Sequence, residues 1–417
     1  MRLLVVYLFV FLGPLGNLLT PSFLPYQFRT FYLLLPAFFI FYDRIYFKEL
    51  KTFLLFLPFL LYCFASSYFA ELTPVLHHES SPFQRCALFV CESLFMFGAA
   101  FYLRNHPLAR EKNRLIRLFL YAFFISLIIG YTFFFGFYLN RVSLSTIERF
   151  SVITQFGYGI LRFSPGSYPN EYGILASFVA SVLLLLIAEK KNPHFQIGIH
   201  RRWLFPFFTL TFLALILSTT RAAYLSFFLS LIYIFFISSN FRRLFFINSS
   251  ILTFFVIAFH KHLGFLFDVF ILGFVKMSYK LGSFGLRMEH WIEGLEEFKE
   301  FHLLGRGYGS LFFIHNVFLE FIFELGVIGF SILLFFLISY FLEHNQRIKQ
   351  TFLRRWMNSD ELFSNRFIVL GLIHIFWFAG SNHNINHHLT WMIFLLFNMN
   401  LFARKQPFER ALVTANA

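Results

Sequence analysis

Apolar runs long enough to cross a bilayer recur along this chain from Leu3 almost to the C-terminus. That repetition limits the fold more than any other feature. A helix needs about 20 mainly apolar residues to span the hydrocarbon. No water is available there to satisfy exposed backbone groups, so only helices or a closed barrel can cross. The runs here are continuously apolar, whereas a barrel strand alternates with period two. They predict an all-α, polytopic membrane helix bundle. Composition agrees, since 13% of the 417 residues are charged against roughly 25% in soluble domains.

Spans are expected near residues 3–20, 28–42, 52–70, 86–103, 116–138, 171–188, 203–219, 222–238, 244–260, 316–342, 367–381 and 388–403, about twelve helices in all. Met1-Arg2 and the apolar run after it could be a signal peptide, but no small-residue cleavage motif follows, so the run reads as an uncleaved first helix. Orientation follows from the tendency of cytoplasmic loops to keep Lys and Arg. Arg44, Lys48 and Lys51 fall on one side, with Arg104, Arg110, Lys112, Arg114 and Arg117, and with Lys190, Lys191, Arg201 and Arg202. Arg242, Arg243, the basic 347–366 loop, Arg404, Lys405 and Arg410 share that side, which is assigned to the cytoplasm with both termini.

The opposite side receives two long loops, 139–170 and 261–315, and any site outside the bilayer must be built there. In the second loop Leu286, Trp291, Leu295 and Phe298 recur at helical spacing with acids on the other face. A short amphipathic helix lying on the membrane surface is expected. No internal repeat or separate soluble segment is apparent, so residues 1–417 read as a single integral membrane domain.

The formal charge of +14 raises nucleic acid as a partner. The basic residues sit in short loops between apolar runs and form no basic face, so the charge reports topology and the expected surroundings are membrane lipid. The 70 phenylalanines spread over nearly every apolar segment and read as packing and lipid-facing bulk. Cys63, Cys86 and Cys91 make neither a disulfide framework nor a CxxC metal site.

Three residues on the outer side could carry chemistry. Arg221 lies in Leu217-Ser-Thr-Thr-Arg-Ala-Ala-Tyr224, between two apolar runs joined by almost no loop. An arginine at membrane depth costs roughly 2.5–3.5 kcal/mol on insertion scales unless it meets an anion or water; a snorkelling arginine at a helix end is the plain alternative. Arg287, in Gly282-Ser-Phe-Gly-Leu-Arg-Met-Glu-His-Trp291, opens the surface helix. Its guanidinium suits phosphate oxygens through paired hydrogen bonds, or it pairs on the surface with Glu289 or Glu293. His315, in Phe312-Phe-Ile-His-Asn-Val-Phe-Leu-Glu320, stands where the long loop enters a membrane helix. A neutral imidazole there can accept a proton, or simply cap the helix with Asn316.

His315-Asn316 is followed, after nine residues, by Gly326-Val-Ile-Gly329 and preceded by Gly305-Arg-Gly-Tyr-Gly309. This His-Asn-x9-Gly-x-x-Gly pattern before a late membrane helix resembles the signature of the bacterial O-antigen ligase family, with related forms in O-antigen polymerases and protein-glycosylating oligosaccharyltransferases. The resemblance extends to Arg221 between two helices, to Arg287 ahead of a Trp, and to Arg162-Phe-Ser-Pro-Gly-Ser-Tyr-Pro-Asn-Glu-Tyr172 in the first long loop. It implies a glycosyltransferase of the bacterial inner membrane whose site faces the periplasm. The donor would be an undecaprenyl-diphosphate glycan and the acceptor lipid A-core or another glycan. It implies also that Arg221 and Arg287 stabilise the departing diphosphate, that His315 is the general base, and that Arg162, Asn316 and Arg306 contact the diphosphate or neighbouring loops. The Pro-Gly turn after Arg162 reads equally well as a bend leading into a helix.

Ser381-Asn-His-Asn-Ile-Asn-His-His388 sets His383 and His387 four apart beside His388, and His77, His78 and Glu79 form a similar outer cluster. Neither has a convincing ligand set, so no metal is assigned and no cofactor is expected. Ligase function leads. A polymerase using the same donor is the first alternative. A flippase or permease is the non-enzymatic one, and it predicts ionisable residues deep in the helices along a crossing path.

Overall fold

The computed structural model describes residues 2–19, 47–71, 81–105, 111–150, 156–157, 160–189, 197–243, 246, 283–311, 314, 316–353, 359–381 and 388–402. The expected span at 28–42 lies outside these residues, as does that at 244–260 apart from residue 246, and so do His315, His383, His387, His77, His78 and Glu79.

The described chain is a helical bundle. It opens with α1 (Arg2–Leu15), a 3-10 turn (Gly16–Leu19), α2 (Phe47–Glu71), α3 (Pro82–Asn105), α4 (Glu111–Tyr138) and the short α5 (Leu144–Phe150). A two-residue antiparallel pair, β1 (Phe156–Gly157) with β2 (Ile160–Leu161), precedes α6 (Pro169–Ala188), α7 (Arg201–Leu217) and α8 (Arg221–Ile237). The rest comprises α9 (Ser283–Glu300), α10 (Val317–Leu353), α11 (Ser359–Ala379) and α12 (His388–Phe402). Among the described residues five segments are long and apolar enough to cross a membrane: Phe53–Ala70, Pro82–Leu103, Asn113–Tyr138, Pro169–Ala188 and Val317–Leu342. Shorter apolar helices occupy Arg2–Leu15, Arg221–Ile237, Asn365–Ala379 and His388–Asn398.

α6 packs against α7, α8 and α11. Proline at its first position presets the backbone where no N–H is required. Gly173, Ala176, Ser177, Ala180 and Ser181 are all buried; small residues let backbones approach closely where lipid offers no hydrophobic drive between helices. Ser177 Oγ donates to Ala223 O at 2.8 Å and lies 2.8 Å from His374 Nε2, so hydrogen bonds join α6 to α8 and α11.

A second group joins α2, α3, α10 and α12 through aromatic packing. Phe56 meets Phe336 at 4.8 Å and Phe97 at 5.3 Å between ring centroids. Phe205, Phe236, Phe335 and Phe376 instead face outward, so phenylalanine serves both as core and as outer surface.

α10 is broken at Gly326, whose φ of 63° and ψ of −172° separate an outer piece, 317–325, from a longer piece, 327–353. The loop after α9 takes up the backbone groups freed by the break. Arg306 N–H donates to Phe323 O at 3.2 Å and Gly307 N–H to Glu324 O at 2.8 Å. Val327 N–H donates to His302 O at 2.9 Å and Ile328 N–H to Leu303 O at 3.1 Å. An unsatisfied backbone group in hydrocarbon costs several kcal/mol, so the break and the loop require one another. A Cβ on Gly305 would collide with the Glu324 carbonyl, and one on Gly326 with Gly305 N. The glycines of the motif therefore mark a crossing of two backbones with no room for a side chain.

α9 forms as a helix where expected, with Trp291 and Phe298 facing inward as expected and Leu295 turned outward. Trp291 Nε1 donates to Ile314 O at 2.6 Å, and the Phe298 and Phe323 rings lie 5.9 Å apart. Leu295, expected on that face, is 49% exposed and forms an outer apolar flank with Met288 and Ile292. Gly294 takes the inward position because the Phe323 ring fills the space where any side chain would sit.

Candidate functional site

Three segments meet at one end of the bundle: the stretch leading into α6, the α7–α8 turn, and the region of α9. Arg366, paired with Glu189 at 2.9 Å, and Arg117, donating to Ile197 O, mark the other end.

At the α7–α8 turn Thr219 adopts a left-handed φ of 51°, and α8 then begins at Arg221. Arg162 holds this turn. Its Nε donates to Ser218 O at 2.9 Å, and its Nη2 to Asn170 Oδ1 and Thr220 Oγ1, both at 3.0 Å. Phe163 N–H adds a bond to Leu217 O at 3.0 Å, and Thr220 Oγ1 donates to Pro169 O at 2.9 Å. The cavity beside Arg162 and Ser164 has a volume of about 30 Å³, room for about one water. A hollow of about 440 Å³ lined by Ile187, Arg201 and Arg202 lies at the opposite end.

Arg287 stands in a different environment. Burial and then the charge of Arg221 hold its guanidinium below the usual arginine range, so the two cations are electrostatic neighbours. Among the described residues, Arg287 Nε is buried and meets no hydrogen-bond acceptor. Arg221 is the first residue of α8, where the helix dipole adds positive potential. A desolvated guanidinium beside a second one at a helix N-terminus favours an anion with several oxygens.

Asn316 Oδ1 accepts from Phe318 N–H at 3.0 Å and Leu319 N–H at 3.2 Å, capping the start of α10 as asparagine does well. Arg306 is half-buried on the loop that crosses the break. His388 is buried in the bundle with its ring 6.4 Å from Phe119.

The sequence reading passed over Arg85, Glu320 and Glu324. Arg85 Nη2 pairs with Glu320 Oε1 at 3.3 Å, its Nη1 donates to Gly309 O at 2.6 Å, and Glu324 Oε1 accepts from Leu311 N–H at 2.8 Å. A signal existed: both acids interrupt an apolar run, and ionisable residues inside membrane helices mark function by default. Glu92, which accepts from Trp391 Nε1 at 2.9 Å, and His374 are further buried groups of that kind.

Residues 206–334 match the O-antigen ligase family. That stretch runs from within α7 into α10 and contains Arg221, Arg287, Arg306, His315 and Asn316, while Arg162 and Arg85 precede it. The resemblance carried by the His-Asn-Gly pattern is thereby shown. With the apolar helices, the match supports a multi-pass membrane protein with a function of the O-antigen ligase or polymerase type. No curated protein matches the chain.

Proposed function

We propose that this chain is an O-antigen ligase of the bacterial inner membrane. It transfers a glycan from undecaprenyl diphosphate to lipid A-core at the periplasmic face, with both termini in the cytoplasm. The reading is supported by Arg221 and Arg287, two neighbouring guanidiniums, of which Arg287 is half-buried and has a buried Nε that meets no acceptor among the described residues.

The acceptor oxygen attacks the anomeric carbon as the bond from that carbon to the diphosphate oxygen breaks. Negative charge builds on the leaving diphosphate, and cations already fixed beside it stabilise the transition state more than the ground state. The acceptor's proton passes to His315, giving a single displacement with inversion. Undecaprenyl diphosphate and the glycosylated acceptor are the products. Asn316 fixes the start of α10 next to His315, Arg306 adds positive charge on the crossing loop, and Arg162 acts through the turn that presents Arg221.

In a complemented deletion strain, Arg287→Ala and His315→Ala should each abolish surface glycan while the protein remains in the membrane. Unchanged glycan in both ends the transferase reading. The lipopolysaccharide of the deletion strain identifies the acceptor: polymer left on undecaprenyl diphosphate marks a ligase, whereas a single repeat attached to core marks a polymerase.

A further inference from the structure

The charged cluster where α3 meets the outer piece of α10 has no part in the chemistry above. Glu320 is 6% exposed and Glu324 1%, and burying two carboxylates against one arginine is costly unless geometry and hydrogen bonding repay it. What the cluster touches is the loop over residues 304–311. Arg85 holds Gly309 O, and Glu324 accepts from the backbone of Gly309 and Leu311. Tyr308 N–H donates to Ser66 Oγ at 3.2 Å, its ring lies 5.5 Å from Phe89, and burial pushes its hydroxyl well above the usual tyrosine range. The Tyr62 hydroxyl, shared between Leu304 O at 2.9 Å and Leu325 O at 3.1 Å, ties the same loop to α10. The loop ends four residues before His315.

We infer that Arg85, Glu320 and Glu324 are positioning residues: they lock the 304–311 loop between α3 and α10 and thereby fix the segment that bears His315 relative to the diphosphate held by Arg221 and Arg287. The inference rests on the transfer reading. It makes a separable claim, because Arg221 and Arg287 stand on α8 and α9, outside the latch. Loosening the latch misplaces the base, which is read in kcat, and changes donor KM less, through Arg306 on the same loop.

The test uses full-length protein in lipid nanodiscs with a lipid-linked glycan donor and lipid A-core. Arg85→Met should lower kcat about 10- to 100-fold, the scale of an ångström of misplacement, with donor KM within about two-fold of the parent. Glu324→Leu should match it, whereas Glu324→Gln, which keeps an oxygen for the loop amides, should retain most activity. Arg85→Met leaves a buried carboxylate unpaired, so the double variant Arg85→Met/Glu320→Gln guards against loss of folding; it should recover folded yield without recovering kcat. Parental kcat in folded Arg85→Met/Glu320→Gln and in Glu324→Leu overturns the latch, as does a fall that appears only as a raised donor KM. The reference is Arg287→Ala. If it is inactive while the latch variants are normal, the latch alone is wrong; if it too is normal, the transfer reading has failed.

Discussion

Arg162 and Arg287 are both half-buried and belong to the same end of the bundle, yet their donors are used in opposite ways. Arg162 spends Nε and Nη2 on Ser218, Asn170 and Thr220, all within the frame of the α7–α8 turn. Arg287 keeps a buried Nε without an acceptor among the described residues, next to a second cation. Hydrogen bonds to charged groups stabilise by about 1.5–3 kcal/mol, and a buried donor left unmet costs a comparable amount. The first arginine is a strut whose stabilisation is realised within the fold. On the proposed transfer reading, the second meets its acceptor in the donor's diphosphate. Residue type and exposure do not separate the two roles; the fate of each N–H does.

Substitutions can break that contrast or sharpen it. Arg287→Ala should lower turnover about 10²- to 10³-fold, as removal of one fixed donor at a developing oxyanion does. Arg287→Lys should recover little, because an ammonium lacks the planar fork; steady-state rates with a lipid-linked donor measure both. Arg162→Ala should cost about ten-fold in kcat/KM through loss of the turn's hydrogen bonds, and Thr220→Val should reproduce part of that loss. A fully active Thr220→Val protein beside an inactive Arg162→Ala one would make Arg162 a ligand and dissolve the contrast.

The remaining changes probe the scaffold under Arg287. Gly326→Ala forces a side chain into a left-handed backbone and against Gly305, and should lower stability by about 1–3 kcal/mol or more in thermal unfolding. Asn316→Ala should cost about 1 kcal/mol by the same measurement, with Asn316→Asp near the parent because it keeps the accepting oxygen.

Much of the bundle was legible from sequence because the lipid-crossing helices are written as continuous apolar runs. The ends of α3, α4, α6 and α8 fall within a few residues of the hydropathy limits. α9 was legible as a helix but not in its rotation, since Gly294 contributes nothing to an apolar pattern and its contact with Phe323 is made across the fold. The glycine clusters were visible as a pattern whose cause was hidden: Gly305 and Gly326 meet only after the chain has turned back on itself. Arg162 was ambiguous because a bend and a ligand contact need the same residues. Arg85, Glu320 and Glu324 were not legible as a cluster because Arg85 meets Glu320 only across 235 residues of chain, although acids four apart in an apolar helix carry their own warning.

The break in α10 also changes what its first amides report. In an unbroken helix the exchange of Val327 and Ile328 amide hydrogens with solvent would follow the fraying of their own turn. Here those hydrogens are bound to the carbonyls of His302 and Leu303, so deuterium uptake at two positions inside a long helix becomes a clock for the opening of the loop beside it. That clock runs in the lipid-embedded protein with no substrate present.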